Sequence, residues 1–124
     1  MNKLAIIVPY RNRPKQLEKF KTYLKQYLEN RGYEYFIIVV EQADDKSFNR
    51  GKLLNVGFKE AVRRRCDYVV FHDVDMLPLD IDYSYEDFPI HLASDKLPFE
   101  DYFGGITLFP VHSFEKINGF SNNY

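Results

Sequence analysis

Short apolar strands alternating with amphipathic helices predict an α/β domain, a mostly parallel sheet flanked by helices. Three observations carry this. The runs 4–8, 35–40 and 68–71 are apolar and rich in β-branched and aromatic residues, as strands covered on both faces are. Two stretches of helical period lie between them. A length of 124 residues suits one hydrophobic core, so 1–124 is read as a single domain.

The run Leu4-Ala5-Ile6-Ile7-Val8, closed by Pro9, is the first strand. Over 12–30 the period changes. Leu17, Phe20, Leu24 and Leu28 recur at three- and four-residue steps with Tyr23 and Tyr27 beside them, an apolar stripe on a charged helix. Asn12 is the expected cap, Pro14 fits the first turn where no amide hydrogen is needed, and Gly32 is the left-handed stop. Tyr35 to Val40 forms the second strand. A second helix starts between Ser47 and Gly51 and runs to about Arg64, with Leu54, Phe58, Ala61 and Val62 inward. The third strand, 68–71, ends in His72-Asp73-Val74-Asp75. The stretch 76–102, with Pro78, Pro89 and Pro98, lacks periodicity and reads as a long functional loop. A strand at 106–109 and a short helix complete the series. In that helix Pro110 is in the first turn, Val111, Phe114 and Ile117 face inward, and Gly119 follows.

Composition narrows the function. Lys plus Arg number 17 against 18 for Asp plus Glu, so the basic excess of a general nucleic-acid binder is absent. The aromatic payload is 11 Phe and 10 Tyr with no Trp, a mixture suited to a polar, ring-lined cleft. One cysteine, Cys66, rules out an intramolecular disulfide framework and fits a reducing compartment. No apolar run is long enough to span a bilayer, and the first is too short for a signal peptide. The expected location is therefore cytoplasmic, with no nucleic-acid partner and no membrane segment.

Ligands of open parallel sheets bind outside the carboxyl ends of the strands. Three polar clusters fall there: Pro9-Tyr10-Arg11-Asn12-Arg13, Glu41-Gln42-Ala43-Asp44-Asp45 and Asp73-Val74-Asp75. In the last, residues two apart at a strand end point the same way, so both carboxylates of this Asp-x-Asp pattern can meet one hard cation. Mg²⁺ or Mn²⁺ would then bridge phosphate oxygens and stabilise a diphosphate leaving group. The alternative is a solvated loop with two capping carboxylates. Arg11 and Arg13 suit forked contacts to phosphate or a base edge and Tyr10 suits stacking on a base, or the arginines are simply exposed charges ahead of a helix. Ser47-Phe48-Asn49-Arg50-Gly51 repeats an aromatic and an arginine at a helix start, where an anion is favoured. Phe103-Gly104-Gly105 either admits a ligand close to the backbone or makes a tight turn. Arg63-Arg64-Arg65 offsets the dipole at a helix end. His91 and His112 read as structural, and His72 stands out by preceding the paired aspartates.

Taken together these strings resemble the β-1,4-galactosyltransferase family. Ile6-Ile7-Val8-Pro9-Tyr10-Arg11-Asn12-Arg13 is similar to its first nucleotide-binding motif and Phe48-Asn49-Arg50-Gly51-Lys52-Leu53-Leu54-Asn55-Val56-Gly57-Phe58 to its second. His72-Asp73-Val74-Asp75 with Leu77-Pro78 resembles the metal motif. Tyr102-Phe103-Gly104-Gly105 and Asn118-Gly119-Phe120-Ser121-Asn122-Asn123-Tyr124 complete five motifs in order across nearly the whole chain. The His before the aspartates is similar to the xylosylprotein β-1,4-galactosyltransferase branch, which acts on xylose in proteoglycan linkers.

The resemblance implies a GT-A type nucleotide-sugar-binding fold and a glycosyltransferase. The donor would be UDP-galactose, the cofactor Mn²⁺ with Mg²⁺ as substitute, and the reaction an inverting transfer to a carbohydrate acceptor. Pro9, Tyr10, Arg11 and Arg13 would hold the uridine end, with Phe48 and Arg50 beside it. Asp73 and Val74 would contact the nucleotide, Asp75 would ligate the metal, Lys96 would lie near the diphosphate, and Tyr102 and Gly105 would line the sugar and acceptor side.

One departure counts. In the family the Asn-Gly-Phe-Ser-Asn-Asn-Tyr string runs into a Trp-Gly-Trp-Gly segment and acidic residues that carry the acceptor platform and the catalytic base, with a His metal ligand further on. The sequence has no Trp and its last residue is Tyr124. An inverting transfer needs a base for the acceptor hydroxyl, so the expectation is a truncated, mainly donor-binding half with no catalytic residue among its 124. The alternative is a noncatalytic nucleotide-sugar-binding module, a truncated or decayed paralogue. Family members in animals are Golgi-anchored, so a trimmed eukaryotic member would belong to the Golgi lumen.

Overall fold

A computed structural model describes residues 2–43, 46–74, 77–78, 81–93 and 106–116. The chain runs β1 (Lys3–Tyr10), α1 (Pro14–Asn30), β2 (Glu34–Glu41), α2 (Arg50–Arg63), β3 (Tyr68–His72), β4 (Ile90–Ala93), β5 (Ile106–Pro110) and α3 (Val111–Lys116). One sheet holds all five strands in the order β2-β1-β3-β5-β4. The expected βαβ units supply its parallel part: β1 pairs with β2 from Lys3↔Glu34 to Tyr10↔Glu41, and with β3 from Leu4↔Tyr68 to Ile7↔Phe71. The sheet is mixed, because β5 runs antiparallel to both β3 and β4.

Burial follows position in the sheet. β1 has strands on both sides and helices on both faces, and Leu4 to Val8 are wholly buried. β2 is an edge strand, and only Ile38 of it is buried. Side chains alternate across the sheet and build two cores. On one face Leu4, Ile6, Val8, Tyr68 and Val70 meet Phe20, Leu24, Tyr27 and Leu28 of α1. On the other Ala5, Ile7, Val69 and Phe71 meet Leu54, Phe58 and Ala61 of α2 and Phe114 of α3.

α2 lies unusually close to β1. A Cβ on Gly57 would stand 2.3 Å from Ile7 Cγ2, so this position requires glycine. The close approach seats α2, which begins at Arg50, against β1.

Four local expectations change. Val62, expected to face inward from α2, is 39% exposed. Asn12 does not cap α1: it adopts φ 52°, the cap position is Arg13, and no side chain bonds there. The Tyr10 hydroxyl accepts from the Arg13 amide at 2.8 Å and so holds the turn ahead of the helix. Pro110 is the last residue of β5, with α3 starting at Val111. The stretch 76–102 contains a strand, β4, whose pairing with β5 shifts register between His91 and Ala93. Pro14 at the start of α1 and Gly32 at φ 76° are as expected. Ile117 and Gly119 lie outside the described residues.

Candidate functional site

β1, β2 and β3 run parallel, so their carboxyl ends at Tyr10, Glu41 and His72 share one edge. Pro9 can occupy a central strand because of where β3 stops. The Tyr10 carbonyl accepts from the Gln42 amide at 3.0 Å, toward β2, so Pro9 turns the other way. On that side the ladder has already ended at Ile7↔Phe71, and the missing N–H breaks no ladder bond. Tyr10 is 7% exposed, and its hydroxyl holds the turn that carries Arg11 and Arg13.

The connection from β2 to α2 is organised by Gln42. Its amide nitrogen donates to the carbonyls of Lys46 at 3.2 Å and Ser47 at 3.0 Å, and its oxygen accepts from the Asn49 amide at 2.9 Å. Asn49 then caps α2 by accepting from the Lys52 amide at 3.0 Å. Two arginines use this frame. Arg11 donates to the Lys46 carbonyl and its guanidinium lies 5.7 Å from the Phe48 ring centroid, within cation–π range. Phe48 is 41% exposed, leaving ring surface open to a planar ligand. Arg50 donates from Nε and Nη2 to Oδ1 of Asp73 at 3.3 and 3.1 Å.

The end of β3 is held from its other face as well. His72 is fully buried. Its Nδ1 lies 2.9 Å from the Asp73 carbonyl oxygen and its Nε2 lies 2.8 Å from the Tyr83 hydroxyl. Burial lowers its pKa to about 4, so the ring is neutral near pH 7. Both ring nitrogens are engaged, so His72 does not serve as a metal ligand. Tyr83 is tied in turn: its amide donates to the Tyr33 hydroxyl at 3.0 Å and its carbonyl accepts from the Tyr68 hydroxyl at 2.6 Å.

Of the residues singled out in the sequence, Pro9, Tyr10, Arg11, Arg13, Phe48, Arg50, Asp73 and Val74 are described, and all belong to this edge. The structure joins Arg11 to Phe48 and Arg50 to Asp73. Arg13 and Val74 meet across a cleft of about 340 Å³ that Gln16, Lys19 and Leu77 also line. Asp75, Lys96, Tyr102 and Gly105 lie outside the described residues, as does the whole Phe103-Gly104-Gly105 string. Gln42 stood in the second polar cluster without a role of its own, because its signal was only a bifunctional amide at a strand end. Away from the edge, Arg63 and Arg64 pair with Glu60 on their own helix, and burial pushes the Cys66 thiol up, away from thiolate chemistry.

The donor chemistry of the edge fits a hard divalent ion. Asp73 presents a carboxylate there, 27% exposed, and Asp75 follows two residues on in the sequence; oxygen donors are what Mg²⁺ and Mn²⁺ take. Among the described residues no three His, Cys, Asp or Glu side chains form a ready metal cluster. Among the same residues no helix is long and apolar enough to cross a membrane.

Helices on both faces of a sheet whose strand ends gather arginines, an aromatic ring and a carboxylate define an α/β domain with a charged-ligand edge. The chain belongs to the β-1,4-galactosyltransferase family of glycosyltransferases: residues 1–87 match the N-terminal region of glycosyl transferase group 7, and residues 90–124 match the N-terminal domain of galactosyltransferase. It is 39% identical over 132 residues to a Caenorhabditis elegans xylosylprotein 4-β-galactosyltransferase, covering 99% of this chain and 45% of that protein. It is 44% identical over 133 residues to mouse β-1,4-galactosyltransferase 1, covering 99% of this chain and 33% of that one. A solved structure of a mutant Drosophila β-1,4-galactosyltransferase 7, in complex with manganese, UDP-Gal and xylobiose, superposes with a TM-score of 0.91 at 37% identity. The match covers 100% of this chain and 55% of that one. The fold is therefore of GT-A type, and the chain spans less than half the length of these curated relatives.

Proposed function

We propose that these residues form the donor-binding side of a galactosyltransferase that takes UDP-galactose with a divalent metal, Mn²⁺ first and Mg²⁺ as substitute, for inverting transfer to a carbohydrate acceptor. The observation that carries the reading is the pair of contacts at the sheet edge, Arg11 over Phe48 and Arg50 on Asp73. They set a cationic, aromatic pocket wall beside a strand-end carboxylate, on a fold shared with a protein solved with manganese and UDP-Gal.

In this reading Phe48 offers its exposed ring to the uracil, and Arg11 stiffens that ring while supplying positive charge. Pro9 and Tyr10 shape the floor, Arg13 and Val74 flank the ribose, and Arg50 holds Asp73 ready for the nucleotide. Asp75 would ligate the metal, Lys96 would face the diphosphate, and Tyr102 and Gly105 would border the sugar. The metal, when bound, neutralises charge on the leaving diphosphate. The xylosylprotein relative makes a xylose-bearing acceptor the first to try.

The experiment is UDP-galactose binding by the chain and by Arg11→Ala. Losing charge-assisted contacts should weaken binding about tenfold or more; equal affinity would contradict the assignment. A galactose-transfer assay then separates an enzyme from a noncatalytic binding module.

A further inference from the structure

We propose that His72 is a positioning residue for the donor site: it fixes the Asp73-Val74 peptide through the Asp73 carbonyl, while the Tyr83 hydroxyl fixes the ring. This rests on the donor reading above. A fully buried imidazole needs partners for both nitrogens. A carbonyl oxygen only accepts, so the contact at Asp73 requires the proton on Nδ1. In a neutral ring Nε2 is then bare and accepts from Tyr83. The hydrogen bonds thus run one way, from the Tyr83 hydroxyl to the ring and from the ring to the Asp73 carbonyl.

Tyr83 can act as anchor because its own segment is clasped. Residues 81–85 belong to no strand, yet their backbone groups find partners on tyrosines far away in sequence. The Tyr27 hydroxyl accepts from the Ile81 amide and donates to the Ile81 carbonyl, both at 2.8 Å. Tyr33 and Tyr68 hold Tyr83 itself, and Tyr23 donates to the Pro78 carbonyl at 2.6 Å. Phe20 packs edge-on against the His72 ring at 4.9 Å. These contacts lie on the α1 face of the sheet, whereas Arg50 starts α2 on the other. Asp73 is therefore gripped from both faces, by its side chain and by its carbonyl. Its carbonyl and its carboxylate are thus both held by protein partners, which is how outer partners orient a site.

The test uses the 124-residue chain and four variants: His72→Asn, His72→Gln, His72→Leu and Tyr83→Phe. Asn places an N–H donor near where Nδ1 stood, and Gln places it near Nε2. Calorimetry with UDP and Mn²⁺, at a temperature where circular dichroism shows each chain folded, should give a loss of about 10- to 100-fold for Leu and Gln, with Asn recovering most of it. A merely structural role would not separate Asn from Gln. Should the His72 variants fail to fold, Tyr83→Phe carries the test, with an intermediate loss expected. Nitrogen-15 correlation spectra of the wild type should show the Nδ1–H tautomer, and Tyr83→Phe should mix the two. Wild-type affinity in His72→Leu or Tyr83→Phe, no advantage of Asn over Gln, or an Nε2–H ring would each overturn the proposal alone. Absence of wild-type binding would overturn the donor reading and this proposal with it.

Discussion

Arg50 donates twice to a single oxygen of Asp73, at 3.3 and 3.1 Å, and so ties the first residue of α2 to the first residue beyond β3. The two residues are 23 apart in sequence. Their side chains are 26% and 27% exposed, so water screens the pair and its stability contribution is at most about 1 kcal/mol. Its importance is geometric: it holds a guanidinium and a carboxylate in fixed relation where a nucleotide would lie.

Replacing Arg50 with Ala should therefore divide two quantities. Urea denaturation should shift by no more than about 1 kcal/mol. UDP affinity should fall about tenfold or more, because charge-assisted contacts to the ligand and the alignment of Asp73 go together. A variant that unfolds readily yet binds UDP as well as the parent would contradict this division.

Gly57 gives a stability test independent of ligand. Alanine is the better helix former by about 1 kcal/mol. Here, however, its Cβ would meet Ile7 Cγ2 at 2.3 Å, and Ile7 is fully buried and β-branched. Overpacking of this kind costs about 1–3 kcal/mol, so Gly57→Ala should destabilise on balance and push α2 outward. A raised melting temperature would show that the α2–β1 contact is looser than described.

Acid should weaken the fold through His72. Burial sets its folded pKa at about 4, against an ordinary 6.5. The folded value is the lower one, so the unfolded chain takes up the proton first as pH falls. This group should therefore erode stability as pH drops from about 6.5 toward 4, by at most about 1.4 kcal/mol per pH unit. Above that window it adds no pH dependence. Urea unfolding at stepped pH values checks this, and His72→Leu should flatten that part of the curve. An unchanged slope in the variant would assign the effect to other groups.

Much of this was readable in advance because local chemistry specified it. The apolar spacing of Phe20, Leu24 and Leu28 and of Leu54, Phe58 and Ala61 set both helices and their inward faces. Strand ends put Arg11, Arg13 and Asp73 on one edge, and the helix start at 47–51 and the family motif added Phe48 and Arg50. What escaped was long-range. β4 lies in a proline- and tyrosine-rich stretch without period, and its neighbouring segment is held by phenols some 50 positions away, as Tyr27 to Ile81 and Tyr33 to Tyr83 illustrate. Gln42 looked like any strand-end glutamine until its three bonds appeared. Asn12 had the right side chain for a cap, but the helix begins one residue later with Arg13 in the cap position, and Asn12 turns the chain with positive φ.

The most direct test of the donor-binding account is calorimetric titration of UDP-galactose into the folded 124-residue chain, with and without Mn²⁺. The account predicts saturable binding that strengthens when the ion is present and is lost when Asp73 and Asp75 are both changed to Asn. Heats indistinguishable from dilution in wild-type protein, with the ion present, would contradict it.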